Sequence, residues 1–164
     1  MRFIISIIAF GLLNLIGCYS FTGSSVPTHL KTIAIPLFDD QSGSGEPGLR
    51  EKLTNKLIEK FRQDNSLELT ERTNADCILE GIILSMPDKP QVVTAGETVS
   101  KARVTITVKV NYQDMKLKKK VWEKQFSGWA DYQIGSGNTE RDASIDIAIE
   151  KLSEDILLEA VSGW

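Results

Sequence analysis

The groups in this chain with the type to do chemistry are two cysteines, one histidine and 22 acidic residues, so spacing decides what they can perform. His29 has neither a neighbouring cysteine nor a carboxylate at helical spacing, which supports neither zinc ligation nor a histidine-based triad. Cys77 sits in the apolar stretch Ala75-Asp76-Cys77-Ile78-Leu79, the setting of a buried, inert thiol. Asp39-Asp40 with Glu46 does not reproduce the spacing of a calcium loop, and Ser42-Gly43-Ser44-Gly45 lacks the Lys-Ser/Thr that completes a phosphate-binding loop. No carboxylate pair is singled out for glycoside chemistry. The expectation is a protein that is not an enzyme and holds neither metal nor cofactor.

Cys18 is different, because its chemistry lies in what precedes it. Met1-Arg2 supplies one positive charge, and Phe3 to Ile16 is an apolar run broken only by Ser6, Gly11 and Asn14. That run is shorter than the roughly 17 to 25 residues of a spanning helix and reads as the apolar region of a secretory signal. It ends in Leu15-Ile16-Gly17-Cys18, which resembles the bacterial lipobox. The small Gly17 opens the backbone to a peptidase, the Cys18 thiol takes a diacylglycerol, and the freed amine takes a third chain. Each buried methylene contributes about 0.8 kcal/mol, so a di- or triacylated Cys18 anchors the protein permanently. The expected organisation is a signal peptide over 1–17, an acylated N-terminus and tether over 18–30, and a folded domain over 31–164.

The remaining charge is unremarkable in sum and uneven in place. A net charge of -3 is too acidic for a protein that coats nucleic acid by bulk electrostatics, so no nucleic-acid partner is expected. Lys116, Lys118, Lys119 and Lys120 nevertheless cluster around Leu117. Such a cluster can meet the phosphates of an anionic glycolipid, each lysine acting as a point charge, or can keep a hairpin tip soluble and discourage edge pairing.

The elements that would position these groups follow from periodicity. Lys31 to Phe38 reads as a strand, with Pro36 marking an edge or its end. After a polar loop, Glu46-Pro47-Gly48 opens a helix whose Leu49, Leu53, Leu57, Ile58 and Phe61 share one face, opposite a charged one; Asp64-Asn65-Ser66 closes it. Leu67 to Thr70 is a short strand, and Cys77 to Ser85 a central strand covered on much of both faces. Met86 to Lys101 is a long loop. Val104, Ile106, Val108, Val110 and Tyr112 alternate with Thr105, Thr107, Lys109 and Asn111, and Lys120 to Tyr132 returns beside them as a hairpin partner. Thr139 with Asp142 has the spacing of a capping box, ahead of a helix with Ile145, Ala148, Ile149, Leu152, Ile156 and Ala160 on its buried stripe. This order predicts an α+β fold, a two-layer sandwich with two helices on one face of a mostly antiparallel or mixed sheet.

Several stretches in this order and spacing resemble the LptE family of lipopolysaccharide-assembly lipoproteins. They are Cys18-Tyr19-Ser20-Phe21, Lys31-Thr32-Ile33-Ala34-Ile35-Pro36-Leu37-Phe38, Glu46-Pro47-Gly48-Leu49, Ala75-Asp76 with Leu79-Glu80-Gly81, Val104 to Val108, and Trp122-Glu123 followed by Phe126-Ser127-Gly128-Trp129. The version resembled is that of Bacteroidota-like bacteria. The resemblance implies a non-catalytic lipoprotein on the periplasmic side of the outer membrane, held by its acyl chains. It also implies a plug in the barrel of an LptD-like translocon, assisting barrel assembly and lipopolysaccharide transport. Tyr19 stands where an Asp would signal retention in the inner membrane, in keeping with outer-membrane sorting. Ile33 to Phe38 also resembles the opening strand of penicillin-binding-protein activators and curli-secretion lipoproteins, which leaves a regulator of peptidoglycan synthases or of secretion as the alternative.

Overall fold

The structure, a computed structural model, describes residues 26–91, 101–135 and 137–163. The signal segment, Cys18 and most of the tether lie outside the described residues. Along the chain run β1 (Thr32–Ala34), β2 (Asp39–Asp40), α1 (Leu49–Asp64), β3 (Glu68–Leu69), a 3-10 turn (Arg72–Asn74), β4 (Cys77–Ser85), β5 (Asp88–Gln91), β6 (Lys101–Asp114), β7 (Lys119–Gln133) and α2 (Asn138–Ser162).

These strands form one mixed sheet. β1 lies between β3 and β4, parallel to both, and β2 adds parallel pairing to β4. β4 pairs antiparallel with β6, and β6 with β7, while β5 continues the β4 side by pairing with the start of β6. The even-numbered residues of β6 from Val104 to Tyr112 are fully buried, under α1 residues Leu49, Leu53, Leu57 and Phe61 and the α2 stripe from Ile145 to Ala160. Both helices therefore cover one face, and the α+β sandwich expected from the periodicity is the fold. Removing a side chain such as Leu57 or Ile106 would cost about 2–5 kcal/mol, the usual penalty for an unfilled core position.

The two helices run side by side in the same direction, joined by a ladder of ion pairs on their outer surfaces. Lys52 reaches Asp146 at 3.2 Å, Lys56 reaches Glu150 at 3.2 Å and Lys60 reaches Glu154 at 2.8 Å. Both members advance by four residues, about one turn, so the partners stay in step. Lys60 also contacts Glu150.

In four places the structure departs from the periodicity. Of the strand expected at 31–38 only Thr32–Ala34 forms, as β1, ending short of Pro36, which has no N–H to give a ladder, and β2 follows at Asp39–Asp40, inside the polar loop. Most of β4 is open on its second face, where Leu84 is exposed and Glu80 and Ile82 are half-buried. The 86–101 segment contains β5, which pairs through its backbone while the Asp-Lys-Pro side chains remain exposed, so no apolar alternation marks it. Finally, the capping box does not form: α2 starts at Asn138, Gly137 at φ 86° occupies the cap, and no side chain bonds there.

Close approach explains one glycine in the sheet. Gly81 on β4 lies under the fully buried Phe38 ring, and a β-carbon there would stand 2.0 Å from a ring carbon.

Candidate functional site

The β6–β7 hairpin ends beside the point where the chain enters the fold. Val26 packs against the core, Leu30 is fully buried, and the His29 ring nitrogen Nε2 lies 2.7 Å from Asp114 Oδ2. Folding thus supplies the carboxylate that His29 lacks in sequence, from 85 residues away. Asp114 also accepts the Leu117 N–H at 2.7 Å. Burial pushes the Asp114 carboxyl up, but its hydrogen bonds to His29 and Leu117 outweigh burial and hold it below the usual range.

A second aspartate ties the same corner. Asp76 accepts the N–H groups of Lys31 and Thr32 at 2.7 and 3.2 Å and pairs with Lys116 at 3.0 Å. Burial raises this carboxyl, and Lys116 with the two N–H donors lowers it further than burial raises it. Lys116 Nζ also donates to the His29 carbonyl at 2.6 Å. Cys77, next in sequence, is buried; its thiol donates to the Thr32 carbonyl at 3.3 Å and accepts from the Tyr112 hydroxyl at 3.2 Å. Burial pushes the Cys77 thiol up to about 11, which suppresses the thiolate that any nucleophilic or redox role requires.

The predicted lysine cluster is thereby divided by the fold. Lys116 is committed to the corner, Lys120 lies 3.5 Å from Glu123, and Lys118, in the left-handed conformation at φ 52°, stands with Lys119 at the exposed turn. Asp39, Asp40 and Glu46 do not converge: the first two form β2, and Glu46 is bonded to Arg141 at 2.8 Å. Among the described residues no group of three or more metal-ligating side chains exists, and no helix is long and apolar enough to cross a membrane.

The second face of the sheet is a polar wall. Arg72 pairs with Glu80, and Lys109 and Lys120 flank Glu123 and hold its carboxyl below the usual range. Thr107 bonds Ser127 at 3.0 Å across the hairpin. Farther along, Arg103 grips Asp131 through two bonds of 2.6 and 3.0 Å and lies over the Trp129 ring at 3.7 Å, with the Lys151 ammonium 4.7 Å from the same ring. Trp129 remains 43% exposed between the two cations. Alternation foretold a polar face here, but the cation pair around Trp129 has no sequence signal, because Lys151 comes from α2 and reaches over the edge strand.

The wall is an array of hydrogen-bonding side chains held in place by the strands that carry most of them. A profile of the LptE family, described as lipopolysaccharide-assembly, matches residues 30–159. The chain belongs to this family. Solved structures similar to this LptE-family chain include a minor lipoprotein from Acinetobacter baumannii, 15% identical with a TM-score of 0.57, covering 82% of this chain and 94% of that one. Rare lipoprotein B from Shewanella oneidensis is 15% identical with a TM-score of 0.55, covering 79% and 95%. A hypothetical protein from Chlamydia trachomatis is 10% identical with a TM-score of 0.56, covering 82% and 95%. At such identities the shared property is the fold. A search of curated protein sequences finds no match.

Proposed function

We propose that this LptE-family chain is a non-catalytic lipoprotein, acylated at Cys18 and held on the periplasmic side of the outer membrane. There it plugs an LptD-type barrel, helps it assemble and takes part in lipopolysaccharide transport. The family match through residues 30–159 carries the reading. The physical support is the sheet's second face: a barrel that conducts a polar headgroup has a polar interior, and a rigid body can seat there only with hydrogen-bonding groups outward. Glu80, Lys109, Glu123, Thr107 and Ser127 provide them on strands fixed from behind by the core, with Arg72 added from the 3-10 turn.

The test is affinity purification of the tagged chain from outer-membrane extract, with mass spectrometry of its N-terminus. Recovery of an LptD-like barrel with acyl chains on Cys18 is the expected result. Recovery of peptidoglycan synthases or secretion components without a barrel would replace this reading by the regulatory one.

A further inference from the structure

We propose that the β6–β7 turn is a second membrane contact, which rests on the headgroups of an anionic lipid bilayer beside the acyl anchor. The proposal uses the acylated Cys18 of the preceding section. Its own evidence is the composition of the tip and its place relative to the chain's entry.

The turn between Asp114 and Lys119 exposes two apolar side chains, Met115 at 41% and Leu117 at 56%. Turn tips ordinarily carry Gly, Pro, Asn, Asp and Ser instead. Lys118 and Lys119 follow Leu117 and have no ion pair among the described residues, whereas the aspartates of this corner, Asp76 and Asp114, are both consumed by internal bonds. The result is a small apolar tip with uncompensated cations. That pattern suits the interface of a bilayer, where apolar groups enter the headgroup boundary and lysines stay with the phosphates.

The direction of the tip is set by the staple to the N-terminal segment. His29 and Lys31 are bonded to Asp114 and Asp76, and Lys116 closes back on His29, so the tip and the entering chain form one rigid corner. Val26 is eight residue steps from Cys18, which at roughly 3.3–3.6 Å each reach about 29 Å at most. An acylated Cys18 therefore keeps this corner, rather than the opposite end of the hairpin, near the membrane. Ile134, at that opposite end and 48% exposed, lies past the far end of β7, a strand of 15 residues or about 50 Å at about 3.3 Å per residue.

The full acylated chain is purified from membranes and reconstituted into phosphatidylcholine vesicles with or without phosphatidylglycerol. An environment-sensitive dye is attached at Leu117→Cys or, for comparison, at Ile134→Cys; acylated Cys18 and buried Cys77 do not compete for it. The expected result is a blue-shifted emission from position 117, quenched by lipid-borne quenchers, only in phosphatidylglycerol vesicles, with none from position 134. Each lysine near an anionic surface multiplies the docked-to-undocked ratio about fivefold, so Lys118→Gln with Lys119→Gln lowers it about 25-fold. High salt reduces docking in the same way. Equal emission from position 117 in both vesicle types overturns the proposal. So does a response only to lipopolysaccharide added to neutral vesicles, which assigns the tip to the glycolipid, or only to a co-reconstituted barrel, which assigns it to protein. Mass spectrometry of the same sample reads Cys18 separately: a bare thiol defeats the anchor reading, while an acylated one with an undocked tip defeats this inference alone.

Discussion

Gly128 on β7 backs directly onto the α2 backbone: a β-carbon there would stand 2.2 Å from the Ala148 carbonyl oxygen and 2.9 Å from Leu152 Cβ. The helix thus lies against the edge strand as closely as a backbone allows. Around this contact, the Lys151 ammonium donates to the Trp129 carbonyl and the Ser144 hydroxyl to the Asp131 carbonyl, both at 3.2 Å, so part of the open edge of β7 is covered.

Gly128→Ala has no flexible neighbour to displace, since the obstructing atom is backbone. It should lower stability by about 1–3 kcal/mol, the usual cost of overpacking. Urea unfolding checks this: a midpoint unchanged from wild type would show that α2 can shift away freely.

The staple between the entering chain and the hairpin should be sensitive to acid. The Asp76 and Asp114 carboxyls are both depressed in the fold below their ordinary value of 3.8. Each thus contributes stability that is fully present above that value and lost as pH falls through the lower folded one. Asp114→Ala removes the acceptor for His29 and Leu117 at a buried site and should cost about 2–3 kcal/mol at neutral pH. It should also flatten the acid limb below about pH 4, which unfolding scans from pH 7 to pH 2 would reveal.

The helix ladder predicts a charge-reversal effect. Glu150 faces Lys56 and Lys60, and their contacts, Lys60 foremost, hold its carboxyl below the usual range. Glu150→Lys would set three ammonium groups together and should destabilise by about 1 kcal/mol, less in high salt. Thermal unfolding at two ionic strengths measures this. A loss independent of salt would point to packing instead.

Cys77 should be silent toward thiol reagents in the folded chain at pH 8, where a thiol pushed up to about 11 is almost wholly protonated and buried. Labelling should become complete on denaturation. Rapid labelling of the native protein would contradict the buried arrangement with Tyr112.

Trp129 separates stability from binding. Its ring is exposed between Arg103 and Lys151, and Trp129→Ala should cost about 1 kcal/mol or less from the lost cation contacts. If the polar wall seats against a barrel, the same change should lower barrel recovery several-fold, because large exposed aromatics dominate contact energies. Unaltered recovery would remove Trp129 from the contact surface.

The local pattern of side chains was enough to announce two amphipathic helices, the long hairpin and the polar side of its first strand, though not the open second face of β4. Period 3.6 from Leu49 to Phe61 and period 2 from Val104 to Tyr112 are properties of the chain itself, and burial only has to satisfy them. The corner that joins His29 to Asp114 and Lys31 to Asp76 could not be anticipated in this way. Its bonds cross 85 and 45 residues, and a carboxylate's partner at such range is chosen by strand register, not by neighbours in sequence. The same holds for the ladder between the helices, whose two stripes are visible at four-residue intervals but whose pairing depends on which way α2 lies along α1. It holds for β5, which has no apolar code and exists because β6 offers it an edge. Periodicity is written residue by residue, whereas register and direction arise only when separate elements share one core.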